Sequence, residues 1–178
     1  MNWANRLTIC RILLVPFFIT AILYHRLDVA FVIFVVAAVT DGLDGYIART
    51  FNQKTKLGAM MDPLADKLLI GSAFLSFSLV SGLPEYLNMP IYVPMIVISR
   101  DALILLGIGV IYLTNGDVDF KPTVVSKVTT VFQMLTIIAL LLQFVYSSWL
   151  WTATACLTVI SGIDYILIGS KLINGKIQ

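Results

Sequence analysis

Charged residues are scarce in this chain: Asp, Glu, Lys and Arg make up only 12% of its 178 residues, whereas 59% are hydrophobic. The mean hydropathy is +0.94. This composition excludes a soluble globular domain and predicts a polytopic membrane protein. The net charge is only +2, and we expect no nucleic-acid partner.

Histidine and cysteine are also rare, and their scarcity argues against a zinc site. The only histidine is His25, so neither an imidazole nor a thiolate ligand set is present. Cys10 and Cys156 are far apart in predicted helices and are typical of small apolar packing residues. No internal repeat or low-complexity segment divides the chain, and we predict a single membrane domain, 1–178.

Long runs of apolar residues make up most of the chain. A helix needs about 20 apolar residues to cross the hydrocarbon core of a bilayer. Such runs occupy 7–25, 29–50, 59–81, 90–114, 123–146 and 149–171, and the last break falls at Ser147-Ser148. We therefore predict an all-α fold with about six transmembrane helices. No small-residue cleavage site follows the first run, which indicates a retained span rather than a signal peptide.

The basic residues are distributed unevenly between the two ends of these spans. One side holds only Arg26, and the other holds a larger set: Arg6, Arg11, Arg49, Lys54, Lys56, Lys121, Lys171 and Lys176. Lysine and arginine accumulate in cytoplasmic loops. Both termini and the 51–57 loop are therefore expected to face the cytoplasm. We expect the membrane to be a bacterial inner (plasma) membrane.

Four aspartates interrupt the second and third runs near that cytoplasmic side. A charge at the bilayer centre costs about 2.5–3.5 kcal/mol on insertion scales, so these carboxylates need a compensating partner. Asp41 and Asp44 are three residues apart, and Asp62 and Asp66 are four apart, so each pair shares one helix face. Two helices joined by a short loop can turn these faces together, and an all-oxygen pocket suits Mg²⁺ first, then Mn²⁺ or Ca²⁺.

Small residues accompany the aspartates and leave room beside them. These are Gly42, Gly45, Ala48 and Gly58. Small residues on membrane helices commonly serve close helix packing, but here they would also let a ligand's phosphates approach the metal ions. Arg49 adds a bidentate phosphate donor at the same end, or a positively charged anchor at the end of a span.

The aspartates and small residues together form the run Asp-x-x-Asp-Gly-x-x-Ala-Arg, eight residues, Gly, three residues, Asp, three residues, Asp. This run resembles the full signature of the CDP-alcohol phosphatidyltransferases, and it lies at the end of one span and the start of the next, as that signature does. The resemblance extends over nearly the whole chain. It implies six transmembrane helices, a homodimer, and a CDP-linked lipid such as CDP-diacylglycerol as substrate.

The resemblance also implies a role for each site residue. Two divalent ions, Mg²⁺ or Mn²⁺, would be held among Asp41, Asp44, Asp62 and Asp66, and Asp66 would be the general base for the acceptor hydroxyl. The CDP-lipid would lie beside Gly42, Gly45, Ala48, Arg49 and Gly58. A polar stripe that opens the chain, Asn5, Thr8 and Arg11, would lie close to the nucleotide, or it would serve only as a helix cap with anchor charges.

Cations in the later spans bear on the acceptor alcohol. The resemblance assigns Arg100 and Lys127, with Lys121 at the mouth, to the acceptor's phosphate, although Arg100 could instead pair with Asp101. The region around Leu106 lacks the second arginine typical of enzymes that take glycerol 3-phosphate. Residues 98–101 and 121–130 resemble cardiolipin synthases, whose acceptor is phosphatidylglycerol. The stretch 41–67 is also very close to bacterial phosphatidylglycerophosphate synthases, so glycerol 3-phosphate stays the alternative.

A divalent-cation transporter is the alternative from another class, because intramembrane carboxylates can line a permeation path. All four aspartates, however, are near the predicted cytoplasmic ends of adjacent spans, with no matching acidic site toward the opposite face. This one-sided arrangement favours a catalytic pocket that opens to the cytoplasm.

Overall fold

The fold is known from a computed structural model that describes the backbone of residues 3–50, 56–115 and 123–173. Side chains are described for residues 8–40, 64–107, 109 and 123–168. Six long helices follow one another in this part of the chain: α1 (Trp3–Leu23), α2 (Leu27–Thr50), α3 (Lys56–Leu79), α4 (Tyr92–Asn115), α5 (Val124–Leu141) and α6 (Ser147–Ile173). A short 3₁₀-helix, Glu85–Leu87, precedes α4. The described residues contain no strand, which confirms the all-α prediction.

The helices pack in two connected groups. α1 lies against α2 and α3, while α6 lies against α5 and α4; α3 also contacts α4 and α5. The core of the first group is aromatic: Phe18, Phe34, Phe74 and Phe77 are almost completely buried. The ring centroids of Phe18 and Phe34 are 6.2 Å apart, an ordinary distance for an interacting aromatic pair. α3 therefore lies between both groups.

Three helices are long and apolar enough to cross a membrane within the described part of the chain: Glu85–Gly107, Val124–Leu141 and Ser147–Ile168. Two further apolar helical stretches, Thr8–Leu23 and Leu27–Thr40, are shorter. Their outer surfaces carry many exposed large apolar side chains, as lipid-facing helices do. Three of the six predicted transmembrane helices therefore satisfy the length and composition criteria in the described part of the chain. The total of six stays a prediction.

The break between the last two helices is not where the sequence indicated. The predicted fifth span runs to residue 146 with a break at Ser147-Ser148, but α5 ends at Leu141 and Ser147 begins α6. The cause is Gln143, which adopts φ 56. The N–H groups of Gln143 and Phe144 then donate to the carbonyls of Leu140 and Ala139, at 3.0 and 2.8 Å. This is a Schellman C-cap formed without its usual glycine.

Candidate functional site

The helix boundaries place the acidic signature on two successive helices. Asp41, Gly42, Asp44, Gly45, Ala48 and Arg49 belong to the last turns of α2, and Gly58, Asp62 and Asp66 belong to the first half of α3. The side chains of Asn5, Asp41, Asp44, Arg49 and Asp62 lie outside the described part of the structure, as does the whole of Lys121. The predicted four-carboxylate pocket therefore stays a prediction.

Asp66 and Arg11, two of the predicted site residues, form an ion pair. The Nη1 group of Arg11 donates to Oδ1 of Asp66 at 2.8 Å, which joins α1 to α3 across 55 residues of sequence. Arg11 is 1% exposed and Asp66 is 34% exposed, so the cation is buried while the carboxylate is open on one side. Thr8, one turn before Arg11, is also buried. The residue predicted to lie near the nucleotide and the residue predicted to accept the proton are thus adjacent in space.

Lys67 follows Asp66 in the sequence but pairs with α4 instead of α1. Its Nζ group lies 2.9 Å from Oδ1 of Asp101 on α4, and that same oxygen accepts from Nη1 of Arg100 at 2.7 Å. Asp101 is buried, so its carboxylate is shared by two cations in a largely water-free environment. Ion pairs in such surroundings are only weakly screened. Lys67 therefore balances part of the charge of Asp101.

The remaining donors of Arg100 reach the last two helices. Its Nη2 group donates to Ser126 Oγ on α5 at 2.7 Å and to Ser161 Oγ on α6 at 2.7 Å, and Nε donates to Ser161 Oγ at 3.2 Å. The guanidinium carbon lies 5.6 Å from the ring centroid of Tyr165, within cation–π range. Arg100 is therefore a junction of α4, α5 and α6.

The predicted acceptor-binding cations are in different environments. Arg100 is buried and paired with Asp101, and its binding of the acceptor stays a prediction. Lys127 lies exposed in the first turns of α5, just after the N-cap Thr123, whose Oγ1 accepts from the Ser126 N–H at 3.2 Å. The structure thus brings Arg100 into contact with residues of α5 and α6 and leaves Lys127 on the surface.

Sequence reasoning missed the two serines that hold Arg100. Ser161 and the adjacent Gly162 indicate close packing in a membrane helix, and Gly162 does lie close to Arg100: a Cβ added there would be 3.8 Å from Arg100 Cγ. The hydrogen-bonding role of Ser161 has one sequence signal: a small hydroxyl lies within an apolar span, while the intramembrane arginine of another span needs hydrogen-bond acceptors. Which helix would supply that hydroxyl is not visible in the sequence.

An apolar groove lies beside Arg100, between α4 and α6. Its volume is about 330 Å³, near the lower end of ligand-binding cavities. Met95, Ile96, Leu103, Ile163 and Ile166 supply most of its walls, and Arg100 contributes to the lining. Met95 and Ile166 are mostly exposed, so the groove opens on the outer surface of the helices.

The predicted metal ligands are all carboxylates, and this donor set fits Mg²⁺ or Mn²⁺. Asp66 is the one whose side chain is described, and its partial exposure leaves it accessible from one side. Among the described side chains, which do not include Asp41, Asp44 and Asp62, no three His, Cys, Asp or Glu residues cluster. The match of these residues to a divalent ion therefore rests on their carboxylate oxygens and on the spacing that places each pair on one helix face.

Several proteins are similar in sequence to nearly the full chain. A probable phosphatidylglycerophosphate synthase of Mycobacterium tuberculosis is 33% identical, covering 98% of this chain and 84% of the relative. The rat cardiolipin synthase (CMP-forming) is 33% identical over 97% of this chain and 64% of its own length. The CDP-diacylglycerol–glycerol-3-phosphate 3-phosphatidyltransferase of Aquifex aeolicus is 32% identical, over 97% of this chain and 98% of the relative.

The family model of the CDP-alcohol phosphatidyltransferases matches residues 1–160, which include α1 to α5 and the first half of α6. Members of that family use divalent metal ions. Together with the three apolar helices, the match identifies an integral membrane protein. The chain is thus a transferase of phospholipid biosynthesis and belongs to the CDP-alcohol phosphatidyltransferase family.

Proposed function

We propose that this protein transfers a phosphatidyl group from CDP-diacylglycerol to an alcohol and releases CMP. The observation that carries the proposal is the Arg11–Asp66 pair, in which the last aspartate of the signature is fixed at 2.8 Å by a buried cation from α1. A partly exposed carboxylate held in one orientation suits proton transfer from a substrate hydroxyl. Family membership favours this reaction over divalent-cation transport.

In the proposed reaction the acceptor oxygen attacks the phosphorus on the lipid side of the diphosphate. A bond forms between that oxygen and the phosphorus, the bond from the phosphorus to the CMP oxygen breaks, and the hydroxyl proton passes to the Asp66 carboxylate. Two divalent ions held by Asp41, Asp44, Asp62 and Asp66 would neutralise the diphosphate and the departing CMP. Arg11 holds Asp66 in place from the α1 side.

The remaining signature residues serve the nucleotide in this proposal. Gly42, Gly45, Ala48 and Gly58 lack bulky side chains, so the backbones of α2 and α3 can approach the diphosphate closely. Arg49 supplies charge-assisted hydrogen bonds to it. Asn5 and Thr8 lie toward the start of α1, on the same helix as Arg11. Their proximity to Arg11 supports the assignment of this end of α1 to the nucleotide.

For the acceptor we propose phosphatidylglycerol, with glycerol 3-phosphate as the alternative. The groove between α4 and α6 supports the lipid acceptor, because an apolar groove on the outer surface beside Arg100 can take an acyl chain. Glycerol 3-phosphate has no chain to place there. The named relatives include both kinds of enzyme. Arg100, Lys121 and Lys127 are the cations proposed to attract the acceptor's phosphate.

The protein is further proposed to act as a homodimer in a bacterial inner membrane, as one domain of six spanning helices with the active site and both termini on the cytoplasmic side. The test of the function uses purified full-length protein in detergent with CDP-diacylglycerol and Mg²⁺ or Mn²⁺. CMP release is measured with phosphatidylglycerol and, separately, with glycerol 3-phosphate. Release that requires an alcohol supports the proposal, whereas no release with either alcohol contradicts it.

A further inference from the structure

α3 is held on two sides by consecutive residues. Asp66 is paired with Arg11 of α1, and Lys67 is paired with Asp101 of α4. Successive residues on an α-helix are rotated by about 100° and do not face the same neighbour. Two short ion pairs in different directions therefore fix the rotation of α3 about its own axis at the level of Asp66.

The α4 side of this arrangement is anchored well beyond α4 itself. Asp101 Oδ1 also accepts from Arg100 at 2.7 Å, and Arg100 is tied to Ser126 of α5 and Ser161 of α6. Arg100 and Asp101 are both buried, which leaves them little freedom to reorient. Lys67 is consequently bonded to a rigid assembly of three helices and not to a mobile surface group.

We propose that Asp101 is a positioning residue for the transfer reaction: by holding Lys67 it sets the rotation of α3 and hence the direction of the Asp66 carboxylate. This inference rests on the proposed function, in which Asp66 receives the acceptor's proton. Asp101 itself touches neither substrate. A displacement of about 1 Å at a reacting group can reduce a rate by about 10²-fold, so loss of the Lys67–Asp101 contact is expected to act on turnover.

The kinetic test compares two substitutions of Lys67. Lys67→Met removes the contact but keeps the Arg100–Asp101 pair, and it is expected to lower kcat by about tenfold or more. Lys67→Arg can still reach Asp101 and is expected to stay within about threefold of the wild type. Asp28→Asn is the matched control, because it removes an exposed ion pair, with Arg26, far from this network. A kcat for Lys67→Met equal to that of the control would overturn the proposal, even if the melting temperature fell.

The rotation of α3 is measured independently of activity by the distance between two spin labels. Leu68 on α3 and Leu103 on α4 are both about half exposed and accept labels after substitution by Cys. Exposed Cys10 and Cys156 are first replaced by Ala. Lys67→Met is expected to shift or broaden the distance distribution, as is Asp101→Asn where it folds. An unchanged distribution would overturn the proposal.

The two measurements separate the failure of this inference from that of the function. If the wild type released no CMP with either alcohol, the proposed function would be wrong, and the label distances would still decide whether Asp101 holds α3. If CMP were released but Lys67→Met changed neither kcat nor the distances, the positioning role would be wrong while the function stood.

Discussion

At the scale of single residues, two consecutive residues of α3 are paired with different helices. Asp66 is joined to Arg11 of another helix, and its neighbour Lys67 is joined to Asp101. Because Asp66 is both a proposed metal ligand and the proposed base, its loss should act mainly on the chemical step. Asp41, on α2, is proposed to hold the metal ions that bind the diphosphate. The two residues should therefore differ when substituted.

We predict that Asp66→Asn lowers turnover by about 10²–10⁴-fold, the usual contribution of a general base, and spares the binding of CDP-diacylglycerol. Asp41→Asn is expected to weaken that binding more strongly, since it removes a ligand of the ions that hold the diphosphate. CMP release measures turnover, and titration with CDP-diacylglycerol measures binding. Equal loss of binding in both variants would reject the separation of roles.

The Arg100 side chain is predicted to resist conservative replacement. Lysine carries the same charge, but it cannot reproduce the planar fork that serves Asp101, Ser126 and Ser161 together. A buried acceptor left without its hydrogen-bond donor costs about 1–3 kcal/mol. Arg100→Lys should therefore lower the melting temperature in detergent clearly, whereas Lys127→Arg, at an exposed position, should leave it unchanged. Equal melting temperatures for the two variants would contradict the junction described here.

At the scale of helices, the sequence predicts the elements better than their ends. Long apolar runs indicate six helices, and six long helices are found among the described residues. The end of α5 was placed wrongly because Gln143 adopts positive φ with no glycine to mark it, and His25 ends α1 in the same conformation at φ 55. The polar contacts between helices could not be predicted from the sequence, for another reason. Arg11 and Asp66 are 55 residues apart, and only packing decides which helices meet.

Gln143→Gly is predicted to stabilise the protein. The left-handed conformation costs a side-chain-bearing residue roughly 1 kcal/mol that glycine does not incur. The matched control is Val131→Gly, at an exposed position inside α5, where glycine should destabilise by a similar amount. Thermal unfolding in detergent measures both changes. A lower melting temperature for Gln143→Gly would show that its side chain makes a contribution larger than the backbone strain.

At the scale of the whole molecule, polar contacts between side chains form a continuous layer that links α1, α3, α4, α5 and α6. The layer runs from α1 through Arg11 and Asp66 to α3, then through Lys67 and Asp101 to α4, and from Arg100 to α5 and α6. It links the proposed base with the cation assigned to the acceptor. A bundle so connected can hold the proposed sites of the two substrates in a fixed relative position, as the proposed transfer requires.

The most direct test of the whole account is CMP release from CDP-diacylglycerol by the purified protein with Mg²⁺ or Mn²⁺. We predict release that depends on an added alcohol, is greater with phosphatidylglycerol than with glycerol 3-phosphate, and is lost in Asp66→Asn. Exclusive use of glycerol 3-phosphate would overturn the choice of acceptor but leave the transferase reaction intact. No CMP release with either alcohol, or equal release by Asp66→Asn, would contradict the central claim.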